Sequence, residues 1–234
     1  MTSPARPVLV LFSGLGADER LFARQLAEFD DVVVMPWTDP LVGEDLPAYA
    51  ARIALLVRGL VDERRPLLLG GSSFGGMVAL ETARVLRPRG VVLIGSARDL
   101  KAIRPSLRLL LSLAPWVPVV AHKIFGQLGW FVAGIFGARD DGERSLFTQM
   151  LRASPPRRVQ WACKAMAQWR PLPLEGVALF AVHGGNDHLL PARLAKDAGD
   201  VVVVAGAGHL LPLTHAAETN AFLRAVFARC SDSV

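Results

Sequence analysis

Six short apolar runs constrain this chain more than any other feature. They are Pro7–Phe12, Asp31–Met35, Pro66–Leu69, Gly90–Ile94, Val177–Val182 and Asp200–Val204, and each ends in a glycine, a proline or a small polar residue. None alternates apolar with polar positions. A strand with one face in water must alternate, whereas an unbroken apolar run suits a strand covered on both faces, as in a parallel sheet layered with helices. Helix-like stretches separate the runs at about 17–29, 46–64, 74–86, 191–198 and 214–229, and in the last of these Phe222, Leu223 and Val226 share one helical face. The alternation predicts an α/β fold, a mainly parallel doubly wound sheet with right-handed crossovers.

One connection breaks the rhythm. Between Ala97 and Pro171 no buried strand is legible. A gap of roughly 75 residues is far longer than one helix and its loops need, so it is read as an insertion with structure of its own. Four of the five tryptophans fall in it, namely Trp116, Trp130, Trp161 and Trp169. Its apolar stretches 107–121 and 124–136 read as helices broken by prolines and glycines. The expected organisation is a core of residues 1–97 and 172–234 carrying a helical cap over 98–171. Glycines 126, 129, 134 and 137 in that cap could serve movement or packing.

Composition removes several function classes. Hydrophobic residues make up 52% and charged residues 20%, so the chain can bury a sizeable core. The net charge is +5, but the basic residues, only four of them lysine, are scattered along the chain, so no nucleic-acid partner is expected. Cys163 and Cys230 are too few for a disulfide framework and have no metal-ligand spacing; they are expected as reduced thiols, with no metal and no cofactor. The first apolar run is too short for a secretory signal, and no uncharged apolar run of membrane-spanning length occurs, so a cytoplasmic chain is expected, with peripheral membrane contact still open.

Gly71-Ser72-Ser73-Phe74-Gly75 matches G-x-S-x-G, with an apolar strand before it and a helix-like run after it. That context puts Ser73 on a sharp strand-to-helix turn. Other readings of the glycines fail. A phosphate loop needs lysine where Met77 follows Gly76, and a dinucleotide fingerprint at Gly14-Leu15-Gly16 meets Glu19 where its third glycine belongs. A serine hydroxyl needs a base. Of the five histidines, His209 follows Gly206-Ala207-Gly208, in the loop past a predicted strand, so a parallel sheet brings it to the same edge as Ser73. His183 and His215 read as structural, and His122 lies in the insertion. The base needs an acid to orient it. Asp187, in the loop after 177–182, is expected in that role, with Asp99 as runner-up. The backbone N–H groups of Leu15 and Phe74 are the expected oxyanion donors.

These residues resemble the α/β-hydrolase superfamily, in particular its small capped esterase-like members. The resemblance rests on Ser13–Gly16, Gly71–Gly76, His183–Pro191 and Gly206–His209, in the order serine, acid, histidine. One departure is that Ser13-Gly14 stands where the family usually has His-Gly; another is the apparent lack of the first two antiparallel strands. The resemblance implies a serine hydrolase cleaving a carboxylic ester or thioester of an apolar small molecule through an acyl-Ser73 intermediate. A hydrolase-like small-ligand receptor and an acyltransferase on the same triad are the alternatives.

Overall fold

The computed structural model describes residues 6–99, 103–113, 116, 127–194 and 201–231. Its strands are β1 (Val8–Phe12), β2 (Val32–Met35), β3 (Leu67–Ser72), β4 (Gly90–Ile94), β5 (Ala178–Gly184) and β6 (Val201–Val204). They form one sheet in the order β2-β1-β3-β4-β5-β6. Every pairing is parallel. The six apolar runs therefore are the six strands, and β3 and β5 extend past them through their terminal glycines to Ser72 and Gly184. Neither glycine pair is apolar in pattern, so composition ended those strands early.

The absence of alternation has the expected cause. Val10, Phe12, Leu69, Val91, Leu93 and Ala181 face one core, and Leu9, Leu11, Leu68, Val92, Ile94 and Val182 face the other. The exception is β6, whose Val202 and Val203 are 46% and 52% exposed because it is the edge strand.

The helices are α1 (Ala23–Leu26), α2 (Leu46–Leu60), α3 (Phe74–Leu86), α4 (Pro105–Leu113), α5 (Gly129–Ile135), α6 (Asp141–Ala153), α7 (Pro156–Gln168), α8 (Leu211–Thr214) and α9 (Ala216–Ser231). Sequence chemistry fixes several ends. Asp45 caps α2 by accepting from the Ala48 N–H at 2.9 Å, and Asp140 caps α6 by accepting from the Glu143 N–H at 2.8 Å. The predicted helix at 17–29 is instead a 3-10 turn over Glu19–Phe22 followed by the single turn of α1. Of the stretch 191–198, Ala192–Leu194 form a 3-10 turn and the remainder lies outside the described residues. Within 107–121 the helix ends at Leu113, and residues 117–121 are likewise outside.

Helices α4 to α7 all fall between β4 and β5 and pack in two groups. One joins Ile103 and Leu111 to Ala162, Cys163 and Met166 of α7 on the α2/α3 side of the sheet. The other joins Val132 and Ala133 to Phe147 and Met150 of α6 on the opposite side. Among the described residues, no helix is long and apolar enough to cross a membrane.

Candidate active site

Ser73 stands between β3 and α3 with φ 53° and ψ −121°. Among the described residues only Arg87, the left-handed end of α3, is another non-glycine with positive φ. A serine in that region costs on the order of 1–3 kcal/mol unless its surroundings fix it. Here they do. The Ser73 N–H donates to the Ile94 carbonyl at 3.0 Å, and the Ser96 hydroxyl donates to the Ser73 carbonyl at 2.6 Å. A Cβ on Gly71 would lie 2.3 Å from the Gly75 carbonyl carbon, and one on Gly75 would lie 2.1 Å from the Phe12 oxygen. Both positions must be glycine for strand, turn and helix to pass so close. A Cβ on Gly76 would strike the Ser96 hydroxyl at 2.3 Å, so that glycine makes room for the residue that holds the turn.

Asp187 lies in the loop after β5, and its carboxylate is fully buried. One oxygen accepts from the Leu189 and Leu190 N–H groups at 2.8 and 2.9 Å; the other accepts from His209 Nδ1 at 2.7 Å. Burial alone would raise the carboxyl pKa. The His209 imidazole and these hydrogen bonds outweigh it and hold the group below the usual carboxylate range. With Nδ1 committed to Asp187, Nε2 is the nitrogen left for other chemistry.

Gly95 connects this pair to the serine. It follows Ile94, the acceptor for the Ser73 N–H, and a Cβ there would lie 3.7 Å from both Asp187 Oδ2 and His209 Nδ1. The structure thus brings Asp187 and His209 into contact and places Ser73 beside them on one edge of the sheet. No hydrogen bond joins the Ser73 hydroxyl to His209, a contact that in unliganded sites is commonly loose. Asp99 is exposed and is not the partner of His209.

The two expected oxyanion donors flank Ser73. Phe74 opens α3, where an N–H has no carbonyl of the preceding turn to bond. Leu15 is the second residue of a turn closed by the Ala17 N–H on the Gly14 carbonyl at 3.1 Å, with Gly16 at φ 76°. In such a turn the second N–H stands outside the closing bond. A Cβ on Gly14 would sit 3.3 Å from the Ser73 Cβ, so this turn passes directly over the serine.

Several contributors are invisible in the sequence pattern. The Phe136 carbonyl, at the end of α5, accepts from the His209 and Leu210 N–H groups at 2.9 and 3.2 Å. Its ring meets the His209 imidazole edge-on at 5.5 Å. Gly137 makes this possible: with φ 94°, a Cβ there would lie 2.7 Å from Gly208 Cα. Gly129 is equally crowded, 2.9 Å from Thr148, so these glycines serve close packing. Trp37 stacks on Phe74 at 5.9 Å, and Trp161 of α7 meets Phe74 edge-on at 5.8 Å. Leu151 of α6 presses on Gly16, where a Cβ would lie 2.7 Å from it. Segments between β4 and β5 thus touch the serine turn, the histidine loop and the Leu15 turn.

His183 is buried in β5. Burial pushes its pKa down, helped by His209 and opposed by Asp187. His215 bonds to the Thr214 hydroxyl at 2.9 Å, and His122 lies outside the described residues. Cys163 and Cys230 are free and buried. Burial raises the Cys163 thiol pKa to about 11.

Residues 7–222 match the model of the Alpha/beta hydrolase family. The solved structures that share the fold include the three that follow. A thermophilic esterase from Thermogutta terrifontis is 22% identical, with 98% of this chain and 92% of that one covered and a TM-score of 0.73. MenH from S. aureus is 15% identical, with 97% and 96% covered and a TM-score of 0.79. A hydrolase from Pseudomonas aeruginosa is 17% identical, with 95% and 90% covered and a TM-score of 0.72. No curated protein sequence matches the chain closely enough to count as a relative. At these identities the likeness is one of fold, and the chemistry must be argued from the site.

Proposed function

This chain belongs to the alpha/beta hydrolase family, and from that premise we propose that it is a serine hydrolase of carboxylic esters or thioesters with an apolar acyl or alcohol part. The observation that carries the reading is the buried Asp187–His209 pair, set beside a serine held in a strained turn. His209 Nε2 removes the proton as Ser73 Oγ attacks the ester carbonyl. The N–H groups of Leu15 and Phe74 hold the resulting oxyanion. Collapse breaks the bond to the leaving alcohol, which takes the proton from His209, and leaves an acyl-Ser73. Water then attacks that acyl group with His209 again as base, and collapse breaks the acyl–Oγ bond, releasing the acid while His209 returns the proton to Ser73 Oγ. Asp187 keeps the imidazole in the tautomer that makes both transfers possible.

In this reading residues 98–171 form the cap and the rest of the chain the core, working in the cytoplasm. The contacts of Trp161 and Phe136 with Phe74 and His209 support an apolar cover over the site. Such walls exclude water and strengthen the electrostatics around the oxyanion.

The test is a panel of nitrophenyl esters and acyl thioesters of increasing chain length, assayed with wild type and Ser73→Ala. Turnover that rises with acyl length and falls by several orders of magnitude in the variant is expected. Near-wild-type turnover by Ser73→Ala would refute the mechanism. Tight ligand binding without steady-state product would turn the assignment to a receptor. Product formation that depends on an added alcohol or amine would turn it to an acyltransferase.

A further inference from the structure

Trp37 is the one tryptophan outside the insertion, and its contacts fall on both sides of the oxyanion site. Parallel pairing of β1 with β2 sets Phe12 beside Met35, so the loops that leave these strands run together at the edge where Ser73 stands. Trp37 follows Met35 by two residues, and its indole N–H donates to the Ala17 carbonyl at 3.0 Å. Ala17 in turn closes the Leu15 turn, its N–H donating to the Gly14 carbonyl at 3.1 Å. The face of the same indole lies on the Phe74 ring, with centroids 5.9 Å apart and planes 9° from parallel. One side chain thus grips the turn that offers the Leu15 N–H and the residue that offers the Phe74 N–H.

The indole is itself held in place. Tyr49 of α2 packs against it at 6.3 Å, and the Tyr49 hydroxyl donates to the neighbouring Thr38 carbonyl at 3.0 Å. Tyr49 and Phe74 are both buried, so the half-buried Trp37 ring rests on fixed partners. Tryptophan suits the place because it joins a broad flat face to one fixed N–H donor. Phenylalanine would keep the stack and leave the Ala17 carbonyl without that donor. Leucine would lose both contacts.

We propose that Trp37 is a positioning residue that sets the separation of the two oxyanion donors, and with it the fit of the site to the tetrahedral state. It acts through Ala17 and Phe74 rather than by touching the reacting atoms. The inference rests on the hydrolase reading above. Oxyanion donors stabilise a transition state only when they are aimed at the position the charged oxygen will take, not at the ground-state carbonyl. A loosened donor therefore lowers kcat and leaves KM nearly unchanged.

The experiment measures kcat and KM on a soluble nitrophenyl ester, and the affinity of phenylboronic acid, for wild type, Trp37→Phe and Trp37→Leu. In the boronate adduct Ser73 Oγ adds to boron, His209 takes its proton, and the tetrahedral anion mimics the transition state. Loss of a whole oxyanion donor costs about 10²–10³-fold in kcat, and one hydrogen bond is worth about two- to tenfold. Trp37→Phe should therefore lower kcat by about tenfold and Trp37→Leu by about a hundredfold, with boronate affinity falling in parallel and KM steady. The control is Trp169→Phe, which removes an indole N–H bonded to Glu81 Oε1 at 2.8 Å; it should lower Tm at least as far as Trp37→Phe and keep kcat. In wild-type protein, phenylboronic acid should also shift the Trp37 indole N–H resonance and leave that of Trp169 in place. Wild-type kcat and boronate affinity in Trp37→Phe overturn the proposal. So does a fall in kcat with boronate affinity unchanged, or a fall in all three variants that simply follows Tm. A Trp37 resonance that ignores the adduct overturns it even where a variant fails to fold. A wild type inert toward every ester and toward the boronate sinks the hydrolase reading and this inference with it, whereas an active wild type matched by Trp37→Phe removes this inference alone.

Discussion

Replacing Gly137 by alanine should cripple turnover from a position that touches no substrate. Two costs separate cleanly. The backbone sits at φ 94°, where a side chain is strained by about 1–2 kcal/mol. The added Cβ would also lie 2.7 Å from Gly208 Cα and 3.2 Å from Gly208 N. Carbon atoms pack at about 3.5 Å or more, so the two backbones must part by roughly 0.8 Å. Gly208 immediately precedes His209, and the residue before Gly137 supplies the carbonyl that fixes the His209 N–H at 2.9 Å. A displacement of that size at a catalytic base costs on the order of a hundredfold in rate. Gly176→Ala is the control, because Gly176 has φ 72° but nothing within 4 Å of an added Cβ. It should lose only the conformational cost, a Tm drop of about 2–8 °C, with kcat intact. The assay is kcat and KM on a soluble nitrophenyl ester beside thermal melts of both variants. If Gly137→Ala melts no lower than Gly176→Ala and turns over like wild type, the insertion does not position His209 and the argument fails.

Three further outcomes follow from the same geometry. Asp187→Asn should lower kcat by about 10³–10⁴-fold with a much smaller change in KM, since it destroys the tautomer preference and leaves the pocket; the kcat–KM split measures this. Acid should destabilise the fold in two stages, read as Tm against pH. The lowered His183 pKa contributes stability that is complete above about 6.5 and declines as pH falls below it. The lowered Asp187 pKa contributes stability present above about 3.9 and lost as pH falls through the folded value. His183→Phe should flatten the first stage only. Cys163, with its thiol raised to about 11, should react with a disulfide reagent at pH 8 about a hundredfold more slowly than a free thiol, and at the ordinary rate after denaturation.

What the sequence revealed divides along the range of the interactions involved. Strands were legible because burial on both faces leaves a local signature, three to six apolar residues in a row. The edge strand β6 carries the same signature although Val202 and Val203 are half-exposed, so valine content alone could not say where it sits. The serine turn was legible because close passage of strand and helix demands glycine at fixed offsets from Ser73, and the clash distances at Gly71 and Gly75 measure that demand. Asp187 and His209 could be nominated only through topology: parallel strands deliver their following loops to one edge, so residues 22 apart meet at 2.7 Å. Phe136 and Ser96 belong to another kind. The Phe136 carbonyl accepts from two backbone N–H groups of the histidine loop, and any residue type can offer a carbonyl, while Ser96 donates a single hydroxyl to the carbonyl of the distant serine turn. The one local trace was glycine, at Gly137 and Gly76, where the partner backbone or hydroxyl leaves no space for a side chain. A glycine that resists explanation by turn geometry is therefore a pointer to a close approach. Here Gly76 leads to the serine turn through Ser96, and Gly137 leads to the histidine loop through Gly208.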